Sequence, residues 1–403
     1  MQPTATVEPT AEPTAAPTAE AVAPQPKLDL ADATKKYITG SAAAWAAKDP
    51  KKNSALYADG AVVAIPGPKG WEEVKATDME KSLAGYFTAF SDLKMTYTRV
   101  VARGDMAVAE WVFTGTNDGD MMGQKATKKK VGYKGASVIW FANDGRVKRE
   151  NVYFDMGTMM GQLGMGPKGQ KVRPVEATPS AATEFLIAKD GEAATDALAK
   201  SWFATSMKSD GKALAALATD DIVMSAQYMP ADIKGKAALE KNVAEGGKAF
   251  VDQKADVTGC VPVGDLTACE YTWTATWKGP AMGMKPTGKT GTVHSLAVVK
   301  TKDGKVAMAT EFANGTEFAG SFGLMDEKAG GKPGAEPKGG AGGAGGAPAQ
   351  AGAGAPKAGG TAAPSGGAAP ASTAPKTSGG AAPASTTPSK PAGTAAPAST
   401  GKK

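Results

Sequence analysis

Four residues at alternate positions close a patterned stretch of the chain: Arg149, Asn151, Tyr153 and Asp155, within RENVYFD. Alternate side chains of an extended strand share one face. A guanidinium, an amide, a phenol and a carboxylate therefore stand in one row. If that face looks into an apolar pocket, burial raises the pKa of Asp155, and the carboxyl can take and return a proton beside a carbonyl. Tyr133 or Tyr153 would then donate to the substrate oxygen. A turn at Ala142–Gly145 with a glycine bulge sets Asp155 across from Tyr133, and a tighter turn sets it across from Lys134. The competing reading is structural, with Asp155 capping the segment Met156–Leu163.

Other residues could line such a pocket. Glu110 sits in mid-strand among apolar neighbours and is echoed by Glu270. It is either a second pocket carboxylate or the polar side of an alternating strand. Methionines gather at 121, 122, 156, 159, 160 and 165, and again at 282 and 284. They are either a soft rim for a flat apolar ligand or ordinary filler. The candidate ligand-binding set is Glu110, Trp111, Asn151, Trp140, Met121 and Met122. His294 is the only histidine, so the first half of the chain has no Ser-His-Asp set, and no His-based metal site is possible. No metal and no cofactor are expected. Residues 164–169 match G-x-G-x-x-G in form, but they contain a proline and follow no strand, so the match carries nothing.

The two cysteines, Cys260 and Cys269, flank VPVGDLTA. With Gly264-Asp265 as a two-residue turn, they stand opposite each other at a position where side chains come close. That favours a cross-strand disulfide over two buried thiols, and with it an oxidising compartment.

The elements that must position these residues occur twice. Ala109–Thr114 is echoed by Cys269–Thr274, Asn143–Val147 by Lys302–Val306, and Gln162–Met165 by Ser321–Leu324. The offsets are 160, 159 and 159 residues, the mark of a tandem duplication. Residues 1–27 form a Pro/Thr/Ala-rich leader and residues 327–403 a Gly/Ala/Pro/Lys tail. Neither has enough apolar surface to offset the entropy of ordering, so both are expected to be disordered. The remainder divides into a first domain at 28–165, a linker at 166–182 and a second domain at 183–326. The chain carries a net charge of +6, and seven lysines and one glutamate of 329–403 account for all of it. The folded part has no basic face to suggest nucleic-acid binding. No apolar run is long enough to span a bilayer. Met1 is followed by polar, Pro-rich sequence without a signal peptide, as in the mature form of an exported protein.

In the first domain, Asp32 caps a predicted helix over Ala33–Lys48, and a helical turn follows at Asn53–Tyr57. A strand at Ala61–Ile65 leads to a capping box at Thr77–Glu80 and a helix over Asp78–Phe90. Four long strands follow: Lys94–Ala102, Met106–Thr116, Val131–Ala142 and Val147–Asp155. The second domain repeats this with helices at Glu192–Lys208, Lys212–Ala218 and Lys236–Phe250. Its strands are Ile222–Ala226, Gln253–Val263, Leu266–Trp277, Thr290–Thr301 and Val306–Phe312. Helices followed by an antiparallel meander make an α+β fold. A curved sheet wrapped around its helices leaves a conical mouth, a usual place for a small-molecule pocket.

The order of elements resembles the SnoaL-like polyketide cyclases and ester cyclases of the nuclear-transport-factor-2-like superfamily. The residues that carry it are GTNDG after a Glu-Trp strand, an Asp-Gly turn, and Tyr153-Phe154-Asp155 before Gln162-Leu163-Gly164. The likeness spans 30–165 and is weaker over 190–326. It implies two cone-shaped domains, each a curved antiparallel sheet around N-terminal helices. It also implies that they pair through their outer sheet faces as an intrachain pseudo-dimer in a monomeric chain. The strand-ending acid of the resembled cyclases is their proposed acid/base, and Asp155 matches it. The second copy has Asn314 there and Phe312 in place of Tyr153, so it is expected to be inert in that chemistry. Two functions stay open. One is an exported protein, periplasmic or extracellular, that binds a small apolar or aromatic molecule, with acid/base chemistry at Asp155. The other is a non-catalytic binding or scaffolding module.

Overall fold

The computed structural model describes residues 27–67, 70–121, 123–166, 171–189, 191–193 and 196–325. The predicted leader (but for residue 27) and tail (327–403), and Met122, lie outside them. The first copy opens with α1 (Leu30–Ala47) and α2 (Pro50–Ser54). Asp29, not Asp32, is the cap of α1. Its Oδ1 accepts the Asp32 N–H at 3.0 Å, so the helix starts three residues earlier than predicted. Asp49 then caps α2, with Pro50 in its first turn.

Strands β1 (Tyr57–Gly67) and β2 (Gly70–Lys75) form a hairpin before α3 (Met79–Ala89). The predicted capping box does not close. Asp78 precedes α3 without a side-chain cap, and Glu80 accepts from the Ser54 hydroxyl instead. The meander β3 (Lys94–Arg103), β4 (Met106–Thr116), β5 (Lys130–Phe141) and β6 (Val147–Phe154) follows, ending in α4 (Met156–Leu163). After the connecting segment comes β7 (Glu184–Ile187). The sheet order is β2-β1-β6-β5-β4-β3-β7, with β1 parallel to β6 and β7 parallel to β3.

The second copy has α5 (Ala197–Ser206), α6 (Gly211–Ala216), β8 (Ala218–Ala226), β9 (Ile233–Lys234) and α7 (Lys236–Ala249). Its meander is β10 (Phe250–Val263), β11 (Leu266–Trp277), β12 (Thr290–Lys302) and β13 (Lys305–Ala313), closed by α8 (Gly315–Ser321). The order β10-β11-β12-β13-β8-β9 repeats the first sheet, with β8 parallel to β13. The tight turns fall where predicted. Val263 pairs with Leu266 around Gly264 (φ 58), and Cys260 pairs with Cys269, joined as a disulfide.

Each sheet has two buried faces. The inner face of copy one packs Tyr97, Val100, Trp111, Phe113 and Phe141 against Tyr37 and Ile38 of α1 and Leu83 and Phe87 of α3. Gly135 is required here, because a side chain on it would occupy the space of the Trp111 ring. The outer faces meet each other. Val101, Val108, Ala136, Val138 and Tyr153 of one copy form a single core with Val261, Val263, Leu266, Ala268, Leu296, Val298 and Phe312 of the other. The pair of cones is thus built within one chain. A lone copy would leave this apolar face in water.

Candidate functional site

The row Arg149, Asn151, Tyr153, Asp155 lies on the outer face, in the joint between the copies, and not in the cone. The Asn151 amide and the Tyr153 hydroxyl both donate to Glu270 Oε1 of the other copy, at 2.6 and 2.7 Å. The turn is the glycine-bulge one, with Ala142 bonded to Arg146 and Gly145 at φ 81. The register shifts again between Trp140 and Phe141, so Gly135 meets Phe154 and Asp155 lies across from Lys134 instead of Tyr133.

Asp155 caps α4. Its carboxyl accepts the N–H groups of Gly157 (3.2 Å) and Thr158 (2.7 Å), and from the other copy that of Gly315 (2.8 Å). Asn314 does the reciprocal work. Its Oδ1 caps α8 at Thr316 and accepts the Met156 N–H at 3.3 Å. Burial raises the pKa of Asp155, against the downward pull of Thr158, Gly315 and Gly157.

The remaining predicted residues divide between the two faces. Glu110 is on the outer face, paired with Arg99 at 3.0 Å, and burial raises its pKa against that guanidinium. Its counterpart Glu270 receives Asn151 and Tyr153. The reciprocal partner of Glu110 would be Phe312, which has no hydroxyl, so Arg99 takes the role. Trp140 packs on the outer core. Tyr133, Trp111 and Met121 are in the cone of copy one, all buried. Tyr133 stacks on Phe113 and Phe154 with centroids 5.2 and 5.7 Å apart, so aromatic rings fill that space. The structure therefore brings Tyr133 together with Trp111, while Asp155 and Tyr133 meet only in lining a small cavity with Lys134, Thr158, Arg173 and Gln227.

The carboxylates that do face the cones are two the sequence reading passed over. In copy one, Glu150 is buried and accepts from Tyr57 and from Tyr37 (3.0 Å). Burial raises its pKa, and the bonds from Tyr57, Ser137 and Tyr37 oppose the rise. In copy two, Glu311 accepts from Tyr271 (2.6 Å) and Tyr228 (3.0 Å), and burial raises its pKa also. The strand registers make Glu150 equivalent to Ala309, and Glu311 to Val152. The two acids thus stand two residues apart on the same strand face. Glu311 is half-buried and Tyr228 is 38% exposed, whereas Glu150, Tyr37 and Tyr57 are sealed. One signal was available. Glu150 shares its parity with Val152 and Phe154, so a lone acid lay on the apolar side of β6.

Among the described residues, no group of three or more His, Cys, Asp or Glu is placed to hold a metal ion. No helix among them is long and apolar enough to cross a membrane.

Two helix-backed curved sheets joined at their outer faces define a tandem protein of the nuclear-transport-factor-2-like fold. The chain belongs to the SnoaL-like polyketide cyclase family, whose model matches residues 37–163 and 195–318. No curated protein matches it. Among solved structures, AclR from Streptomyces galilaeus is 26% identical over 33% of this chain and 82% of its own, with a TM-score of 0.29. A Catenulispora acidiphila protein with a ketosteroid isomerase-like fold is 15% identical over 32% and 94%, with a TM-score of 0.29. An NTF2-like protein from Burkholderia xenovorans is 17% identical over 33% and 99%, with a TM-score of 0.27.

Proposed function

We propose that this chain is a small-molecule-binding member of its family in which the strand-ending acid holds the two copies together instead of moving a proton. The observation behind this reading is the Asp155 carboxyl, spent on three backbone N–H donors, one of them from the other copy. An acid so engaged in a joint has no oxygen aimed into a cone. The ligand class, small and apolar or aromatic, is the one expected of this fold. In copy one it binds outside the cone, whose own aromatic rings fill it. An exported location is supported by the Cys260–Cys269 disulfide. Free thiols in protein taken from its native compartment would remove that support.

One observation favours acid/base chemistry elsewhere. Glu311 lies on the cone wall of copy two beside a half-exposed phenol, within reach of solvent. Exchange of the protons next to the carbonyl of cyclohexanone in deuterated buffer tests both readings. The wild type is expected to match buffer, and Asp155→Asn to match the wild type, because Asn also caps a helix, as Asn314 does. Asp155→Ala should lose about 1–2 kcal/mol of stability in urea. Exchange that disappears in Asp155→Asn would overturn the reading, and exchange that disappears only in Glu311→Gln would establish the second one.

A further inference from the structure

Copy one has a cleft of about 400 Å³ between α2, the start of β1 and the junction of β2 with α3. That volume lies in the range of small-molecule pockets, roughly 300–1,000 Å³. The backbone makes the cleft. The register of β1 with β6 shifts between Tyr57 and Val62, and Gly60 turns at φ 76, so the first half of β1 bows off the sheet. Its uncharged lining mixes Ala55, Ala58, Ala61, Ala76 and Tyr57 with Ser54, Gly60 and Thr77.

The charges around the cleft do not cancel. Its three basic residues, Lys51, Lys75 and Arg146, exceed its two acids by one. Asp59 is taken by Arg146 at 3.1 Å, and Glu80 accepts from Ser54 Oγ at 2.5 Å, a neutral donor that leaves its charge in place. Arg146 is itself shared with Asp144 at 2.8 Å. Lys51 and Lys75 remain, both exposed and lining the cleft, with no ion-pair partner among the described residues. Copy two does not repeat this. Asp220 is the counterpart of Asp59 by strand register, and there Lys236, from the corresponding strand–helix junction, closes on it at 2.7 Å. The capture of Asp59 by Arg146 is what leaves a lysine unneutralised in copy one.

We propose that this cleft binds a small molecule with a flat apolar body and one anionic head. Lys51 and Lys75 hold the head, and the alanine-lined wall takes the body. Two like charges over a partly apolar recess attract anions more strongly than either lysine alone on an open surface. Lysine bonds a carboxylate or a sulfonate as a point charge, so the head group need not be planar. The inference deepens the binding reading above by naming a site and a ligand class.

The probe is 8-anilinonaphthalene-1-sulfonate, titrated into the full chain and followed by its fluorescence. Saturable binding at one site is expected, weakening as salt screens the lysines. Lys51→Glu combined with Lys75→Glu should weaken it by about tenfold or more. Both lysines are exposed, so the fold should persist, which circular dichroism checks. Ala58→Trp, which fills the cleft without changing charge, should abolish the site. N-phenyl-1-naphthylamine, with the same rings and no sulfonate, should bind about tenfold more weakly or worse. Unchanged affinity in the double-lysine variant, or equal affinity for the uncharged analogue, overturns the proposal. Neither result touches the Asp155 reading, which rests on proton exchange.

Discussion

Glu150 and Asp155 lie five positions apart on one chain, and both are buried carboxylates with raised pKa values. Parity separates their fates. Glu150 turns inward to two phenols, and Asp155 turns outward to the backbone of the other copy. Their titration has a consequence for stability. Folded Glu150 holds its proton more tightly than the unfolded chain does, because burial disfavours the charge. The native state therefore binds more protons than the unfolded state from the ordinary pKa of 4.5 up to the raised value. Stability is full below 4.5 and falls as pH rises through that window. Glu150→Gln cannot titrate. Its melting temperature, followed by circular dichroism, should fall less than that of the wild type between pH 4.5 and neutrality. Glu110, Glu311 and Asp155 shift in the same direction, so part of the slope should survive. Parallel curves for the two proteins would refute the assignment.

At the scale of the element, the duplicated blocks, the meanders and the cysteine pairing were readable, because turn chemistry and alternation act locally. The faces were harder to assign. Alternation says that Arg149, Asn151, Tyr153 and Asp155 share a side, not which side the helices cover. In most sheets the polar side meets water, but here it meets another sheet, and its polar groups reach across to Glu270 and Gly315. The β7 strand was also missed, since its partner β3 is distant in the chain, and β2 was missed although it pairs with the neighbouring β1. The connecting segment is tied on both sides. The Glu176 N–H donates to Gly132 O at 2.9 Å, and β7 extends the first sheet. Arg173 of this segment is buried and donates to Ala226 O, Met229 O and Asp232 of the second copy. Its charge-assisted bond to Asp232 is 2.7 Å. Arg173→Ala leaves that acid and two carbonyls without this donor, so it should cost about 2–3 kcal/mol in urea unfolding. A variant as stable as the wild type would show the strap to be ornamental.

At the scale of the molecule, the joint decides how the chain unfolds. Its apolar centre draws on both copies, with Val138 and Val298 each about 1% exposed or less. Around it lie the Glu270 bonds, the Asp155–Gly315 and Asn314–Met156 exchange, and the ring of Trp71 stacked on His294 with centroids 4.4 Å apart. Neither copy can open without placing this face in water and stranding buried carboxylates whose donors belong to the other. The cost falls on both halves together, so the full chain should melt in one calorimetric transition, with matching calorimetric and van't Hoff enthalpies. Val298→Asp places a charge in the joint without a partner, at a cost of about 3–5 kcal/mol. It should split the transition in two as the halves lose their common core. Two resolved transitions in the wild type would mean that the copies are neighbours rather than one folding unit, and that Asp155 caps its helix without help from across the joint.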